Sequence, residues 1–189
     1  MADEQKSPSG YMKKLLIWGL IGLFIVMLFS FVFSPNPAAP KIKYGEFPFK
    51  LTYELNGEVK VLEDVIVCEF DGYKSLGEGG KYRKWKTSLK SGADRATLLD
   101  LRERDAFDSQ GRKVLELYFF VGDAAYYMGD KKSFPVNGQN LDYVAAILIN
   151  QDGNKLDDGI STYDAYEKFG LRLITWEPTE PINNIFNGK

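Results

Sequence analysis

Histidine does not occur in this chain. Its absence removes more chemistry than any other feature, because a Ser-His-Asp or Cys-His unit needs an imidazole to take the nucleophile's proton near neutral pH. Cysteine is nearly absent as well. The single Cys68 excludes an intrachain disulfide and the thiolate clusters that hold zinc or iron–sulfur centres, so the fold must stand on its core. A surplus of positive charge is also missing. Lys and Arg number 24 against 26 Asp and Glu, a formal net charge of -2, and residues 1–34 hold more Lys than acid, leaving the rest more acidic still. Nucleic acid is therefore not expected as a partner, since phosphate binding needs an excess of Lys and Arg. No Asn-x-Ser/Thr acceptor is found, and with no disulfide this fits a bacterial envelope better than a eukaryotic secretory route.

What is present is an uncharged, proline-free run at residues 15–33, LLIWGLIGLFIVMLFSFVF. At about 1.5 Å per helical residue it nearly covers the ~30 Å hydrocarbon layer of a bilayer, so a single transmembrane helix is expected there, with lipid as its partner. A cleaved signal peptide would have a shorter apolar stretch and small residues at its cleavage site; the nearest candidates, Ala38 and Ala39, are crowded by proline. Lys13 and Lys14 abut the run on its amino side. They predict a cytoplasmic head at residues 1–14 and an exported carboxy-terminal part, a bias softened by Lys41 and Lys43. Residues 34–40 carry Pro35, Pro37 and Pro40 and read as an extended stalk.

Residues 41–189 suffice for one domain. Aromatics reach 14%, a composition that leans towards strands. Phe49, Leu51, Tyr53 and Leu55 alternate with polar residues as a half-buried strand does, Asn56-Gly57 supplies a tight hairpin turn, and Val59 and Val61 resume the alternation. The run at residues 65–70, VIVCEF, reads as a central strand buried on both faces, with Cys68 a structural thiol inside it. Further strands are expected at residues 81–86, 95–102, 114–121, 124–128 and 171–176. Residues 141–150 suit either a buried strand or a helix capped by Asn140. Ser161 or Thr162 opens a short helix that Gly170 closes, and residues 177–189 are expected to be irregular. The fold class is thus mainly β or α+β: one largely antiparallel, sandwich-like or sheet domain with one or two short helices.

No catalytic, cofactor-binding or metal-ligating set stands out. The oxygen-rich stretch at 150–159, with Asp152, Asn154, Asp157 and Asp158, has the wrong spacing for a helix-loop-helix calcium site and reads as ordinary Asp-Gly turns. The one dense basic segment, Lys81, Arg83, Lys84, Lys86, Lys90 and Arg95 with Tyr82 and Trp85 among them, offers in Lys81, Arg83, Lys84, Trp85 and Lys86 the candidate contact for an anionic partner: lipid headgroups, an envelope polymer or an acidic protein. Its plainer reading is a charged edge strand, with acids at residues 100–108 to balance it. The expectation is a non-enzymatic, membrane-anchored interaction or structural module outside the cytoplasm; the alternatives are an envelope hydrolase using carboxylates, or a small-ligand sensor.

Overall fold

A computed structural model describes residues 9–32, 36–75, 80–130 and 141–186. Residues 1–8 of the expected head at 1–14, Phe33 at the end of the expected transmembrane run, the stalk residues Ser34 and Pro35, and the Asn140 cap lie outside the described residues. By its contacts the chain divides into two units, residues 1–37 with 73–82 and residues 38–72 with 83–189.

The first unit contains α1, Ser9–Val32, and the adjoining ends of two strands at residues 73–75 and 81–82. Side chains of α1 are described from Lys14 to Phe24 and at Val26, and all of these are exposed. Among the described residues no helix is long and apolar enough to cross a membrane.

The second unit is a strand-rich, antiparallel, two-sheet domain. One sheet has the order β3-β2-β1-β8, built from β1 (Tyr44–Leu55), β2 (Glu58–Ser75), β3 (Lys81–Leu89) and β8 (Leu171–Pro178). The other has the order β4-β5-β6-β7, built from β4 (Ala96–Asp100), β5 (Lys113–Phe119), β6 (Tyr143–Ile149) and β7 (Lys155–Ser161). Period-two patterning explains both. In β1, Phe47, Phe49, Leu51 and Tyr53 are buried while their neighbours are not, and at Asn56-Gly57 both φ angles are positive, +53° and +82°, as the hairpin requires. That turn fixes the register in which Leu55 faces Glu58 and Leu51 faces Leu62.

The core lies between the sheets. Leu51 and Ile66 from one, and Val114, Leu117 and Leu148 from the other, are fully buried, each contributing about 1.5 to 3 kcal/mol of transfer free energy. Trp176 of β8 ties the layers together, its ring 5.1 Å from Phe49 and 4.5 Å from Phe119. Tilted aromatic contacts of this kind add to the area they bury.

Four expectations are corrected. Residues 65–70 are not buried on both faces: Ile66 and Cys68 are fully enclosed, whereas Val65, Val67 and Phe70 are half-buried and Glu69 is exposed. They continue β2, and only one face of that strand meets the core. Ala124–Tyr127 form a helical turn, α2, instead of a strand, because the Asp123 side chain accepts the Ala125 N–H and caps it. The stretch 150–159 is only half turn. Asn150 Oδ1 accepts the N–H groups of Asp152 (3.0 Å) and Asn154 (2.8 Å), after which β7 returns along β6. The carboxy-terminal segment begins as β8 through Pro178, and residues 179–185 beyond that strand are irregular but tied down. Ile182 N–H donates to Tyr127 O at 2.9 Å, and Asn184 exchanges two hydrogen bonds with the Ile42 backbone at 3.0 and 2.7 Å. The two-way reading of residues 141–150 resolves to strand, and α3 (Thr162–Phe169) has the expected ends, with Ser161 as amino cap and Gly170 left-handed at φ +63°.

Candidate functional site

The basic segment is β3, and β3 is the terminal strand of its sheet. Strand alternation divides its side chains between two faces. Lys84 and Lys86 are exposed, Lys81 and Trp85 are half-buried, and Arg83 is buried. Arg83 grips Asp130 with two parallel hydrogen bonds, Nε to Oδ2 at 2.6 Å and Nη2 to Oδ1 at 2.5 Å. The side chains of the pair are 3% and 1% exposed. Such a bidentate pair satisfies the guanidinium fork that an unpaired buried charge could not. Three further contacts complete the cluster: Arg83 Nη1 donates to Ala38 O at 2.9 Å, the Arg83 guanidinium lies 4.1 Å from the Phe186 ring centre, and Trp85 Nε1 donates to Asp130 Oδ2 at 2.9 Å.

The five candidate residues therefore do not form one surface. Arg83 and Trp85 are engaged by Asp130, and Lys84 pairs with Asp71 on β2. The hydrogen bond from Lys84, helped by the charge of Lys86, holds the Asp71 carboxyl below the usual carboxylate range. The counter-charges expected from residues 100–108 come instead from Asp71, Asp130 and, for Arg95, Asp157 at 3.8 Å.

Sequence reasoning missed a groove that opens where β3 of one sheet comes near β4 and β5 of the other. It encloses about 430 Å³. Its wall is aromatic and apolar, with Trp85, Leu89, Tyr118, Phe119, Phe120 and Val121 contributing. Its charged residues are Asp94, Arg95, Asp123 and Asp157. The Arg95 guanidinium lies over the Tyr118 ring at 4.8 Å, and its Nη1 is enclosed without a hydrogen-bond partner. Tyr118 donates its hydroxyl proton to Asp157. Burial first, and that hydrogen bond second, push the Tyr118 phenol well above its ordinary range, so it stays protonated. Thr87 Oγ1 accepts the Ala124 N–H at 3.0 Å, fixing the approach of α2 to β3. No single-sequence signal joins these residues, which come from four separated stretches.

Two other candidates resolve as structural. Cys68 is fully buried, and its thiol is pushed up to about 12, chiefly by burial and secondarily by the nearby Asp123 charge. A thiol so protonated is a poor nucleophile. Asp157 and Asp158 of the oxygen-rich stretch are held by Tyr118 and Arg112, the latter ion pair at 2.7 Å. Among the described residues no group of three or more Asp, Glu or Cys side chains is arranged to hold a metal ion.

No family model matches the chain, and neither the curated proteins nor the solved structures include a match.

Proposed function

We propose that this chain is a single-pass membrane-anchored protein whose two-sheet domain is a non-enzymatic binding module on the outer side of a bacterial cell membrane. The observation that carries the tether is the character of α1: Leu15, Leu16, Trp18, Leu20, Leu23 and Phe24 all stand exposed along its described turns. Apolar side chains on every face of a helix need an apolar surrounding, and the continuous uncharged run at residues 15–33 has the length at which lipid serves. Lys13 and Lys14 orient it with the amino terminus in the cytoplasm. The binding role is supported by the groove at the open side of the two sheets, whose aromatic and apolar lining, with Trp85 half-buried and Phe120 exposed, is the kind of surface that partners cover.

The test is crosslinking in membranes followed by purification of the full chain. Recovery of a protein or envelope polymer bound to it is the expected result, and recovery of the monomer alone overturns the reading. A reporter that fluoresces only in the cytoplasm, fused after Lys189, should stay dark; fluorescence overturns the orientation.

A sensor of small ligands is the second reading, favoured by the groove's volume of about 430 Å³, which falls within the roughly 300 to 1,000 Å³ of small-molecule sites. A thermal shift of the purified chain with a metabolite panel would support it over the first.

A further inference from the structure

We infer that the groove beside β3 receives a basic segment of a partner protein, with a lysine or arginine stem along the aromatic wall and its charged end at Asp94 and Asp123. This deepens the binding-module reading and rests on it.

Charge complementarity selects the occupant. Three carboxylates and one guanidinium line the groove, so it carries a surplus of negative charge. The guanidinium's charge is offset within the groove: Arg95 covers the Tyr118 ring, and its Nη1, though without a hydrogen bond, lies 3.8 Å from Asp157, which in turn accepts the Tyr118 hydroxyl. Asp94 is left exposed, with no side-chain hydrogen bond or ion pair among the described residues. Asp123 uses Oδ1 to cap α2 and forms no ion pair among the described residues. Two carboxylates without counter-charge beside an aromatic wall repel an anion and favour a cation.

The wall determines what kind of cation. Leu89 and Phe119 make a buried floor and Phe120, 40% exposed, stands at the rim. Lysine and arginine bury a methylene stem along apolar surface while their charge reaches polar groups or a ring face, which a hydrated inorganic ion does not do. The groove also lies where both sheets end, at β3 and β4. An extended segment can run along such an open side and present alternate side chains inward.

The probe is a fluorescein-labelled octapeptide of alternating lysine and serine, with a counterpart carrying glutamate for lysine. Each is titrated by fluorescence anisotropy against the full chain in uncharged detergent micelles. The lysine peptide should bind saturably and the glutamate peptide should not. Asp94 is exposed and forms no side-chain hydrogen bond or ion pair among the described residues, so Asp94→Asn should fold normally and weaken binding about two- to fivefold, and Asp94→Lys should abolish it. Asp123→Asn keeps the helix cap and should weaken binding similarly. Unchanged affinity in these variants, or equal binding of the glutamate peptide, overturns the inference. Crosslinked co-purification separates it from its premise. A partner recovered with the native chain but lost with Asp94→Lys supports the groove. A partner recovered equally with both overturns the groove and leaves the binding module standing, whereas monomer alone overturns both.

Discussion

Arg83 and Asp130, 47 positions apart in the chain, form the ion pair that is most completely withdrawn from water among the described residues, with side chains 3% and 1% exposed. Around them gather Trp85, the carbonyl of Ala38 and the ring of Phe186, so the entry and exit of the second unit converge on one guanidinium.

Removing the carboxylate should therefore be costly. Asp130→Ala strands the Arg83 charge and the Trp85 N–H, and should lower unfolding free energy by about 3 to 5 kcal/mol in urea melts. Arg83→Met combined with Asp130→Leu should recover much of that loss, because an apolar pair leaves no charge buried. A double variant no better than Asp130→Ala would contradict this account.

Cys68 should resist alkylation in the native chain. Its thiol is fully enclosed and raised to about 12, so the thiolate is scarce near pH 8. Iodoacetamide should label it only after denaturant is added, at the rate of global unfolding. Fast labelling of the folded chain would show that β2 opens locally.

Gly170 ends α3 at φ +63°, and a Cβ there would collide with the Asn56 side chain, whose backbone N–H donates to Gly170 O at 2.9 Å. Gly170→Ala should destabilise the domain by more than about 1 kcal/mol. Asn56→Ala should relieve part of the defect in the double variant, to be read by thermal melting.

Acid should weaken the domain. Glu46, Asp71, Asp100 and Asp158 all have carboxyl groups held below the ordinary range, by Lys90, by Lys84, by Arg102 and, for Asp158, by the Gly159 N–H and Arg112; Asp100 reaches about 2. A depressed folded-state value contributes stability that is complete above the unfolded carboxylate range, near 4, and is lost as pH falls through the folded value. Melting temperature should be level from about pH 5 to 7 and decline below about pH 4. Because these groups are exposed, added salt should flatten the decline. A melting temperature that rose on acidification would refute the assignment.

How much of this was legible depended on the range of the interactions. The hairpin at Asn56-Gly57, the helix bounded by Ser161 and Gly170, and most strands rest on neighbours within a few residues, and local chemistry announced them. α2 was missed for a local reason too: a single capping Asp outweighed an apparent alternation. The basic segment showed the limit. Its residues were found and its edge position was legible as a plainer reading, but not that Arg83 faces a partner 47 positions away. The groove was invisible, since its walls meet only when two sheets stack.

By itself the amino-acid order determined the chemistry that this chain lacks, the uncharged run at residues 15–33 and the two-residue periodicity of a strand-rich domain. Those follow from side-chain identity and backbone stereochemistry, which act at short range. Only the tertiary structure decided which face of β3 was buried, which carboxylates neutralise which cations, and that Asp94 and Asp123 stand beside an aromatic wall with no ion pair among the described residues. The reason is that burial and charge pairing are properties of space, and distant stretches share space only once the sheets have closed on their common core.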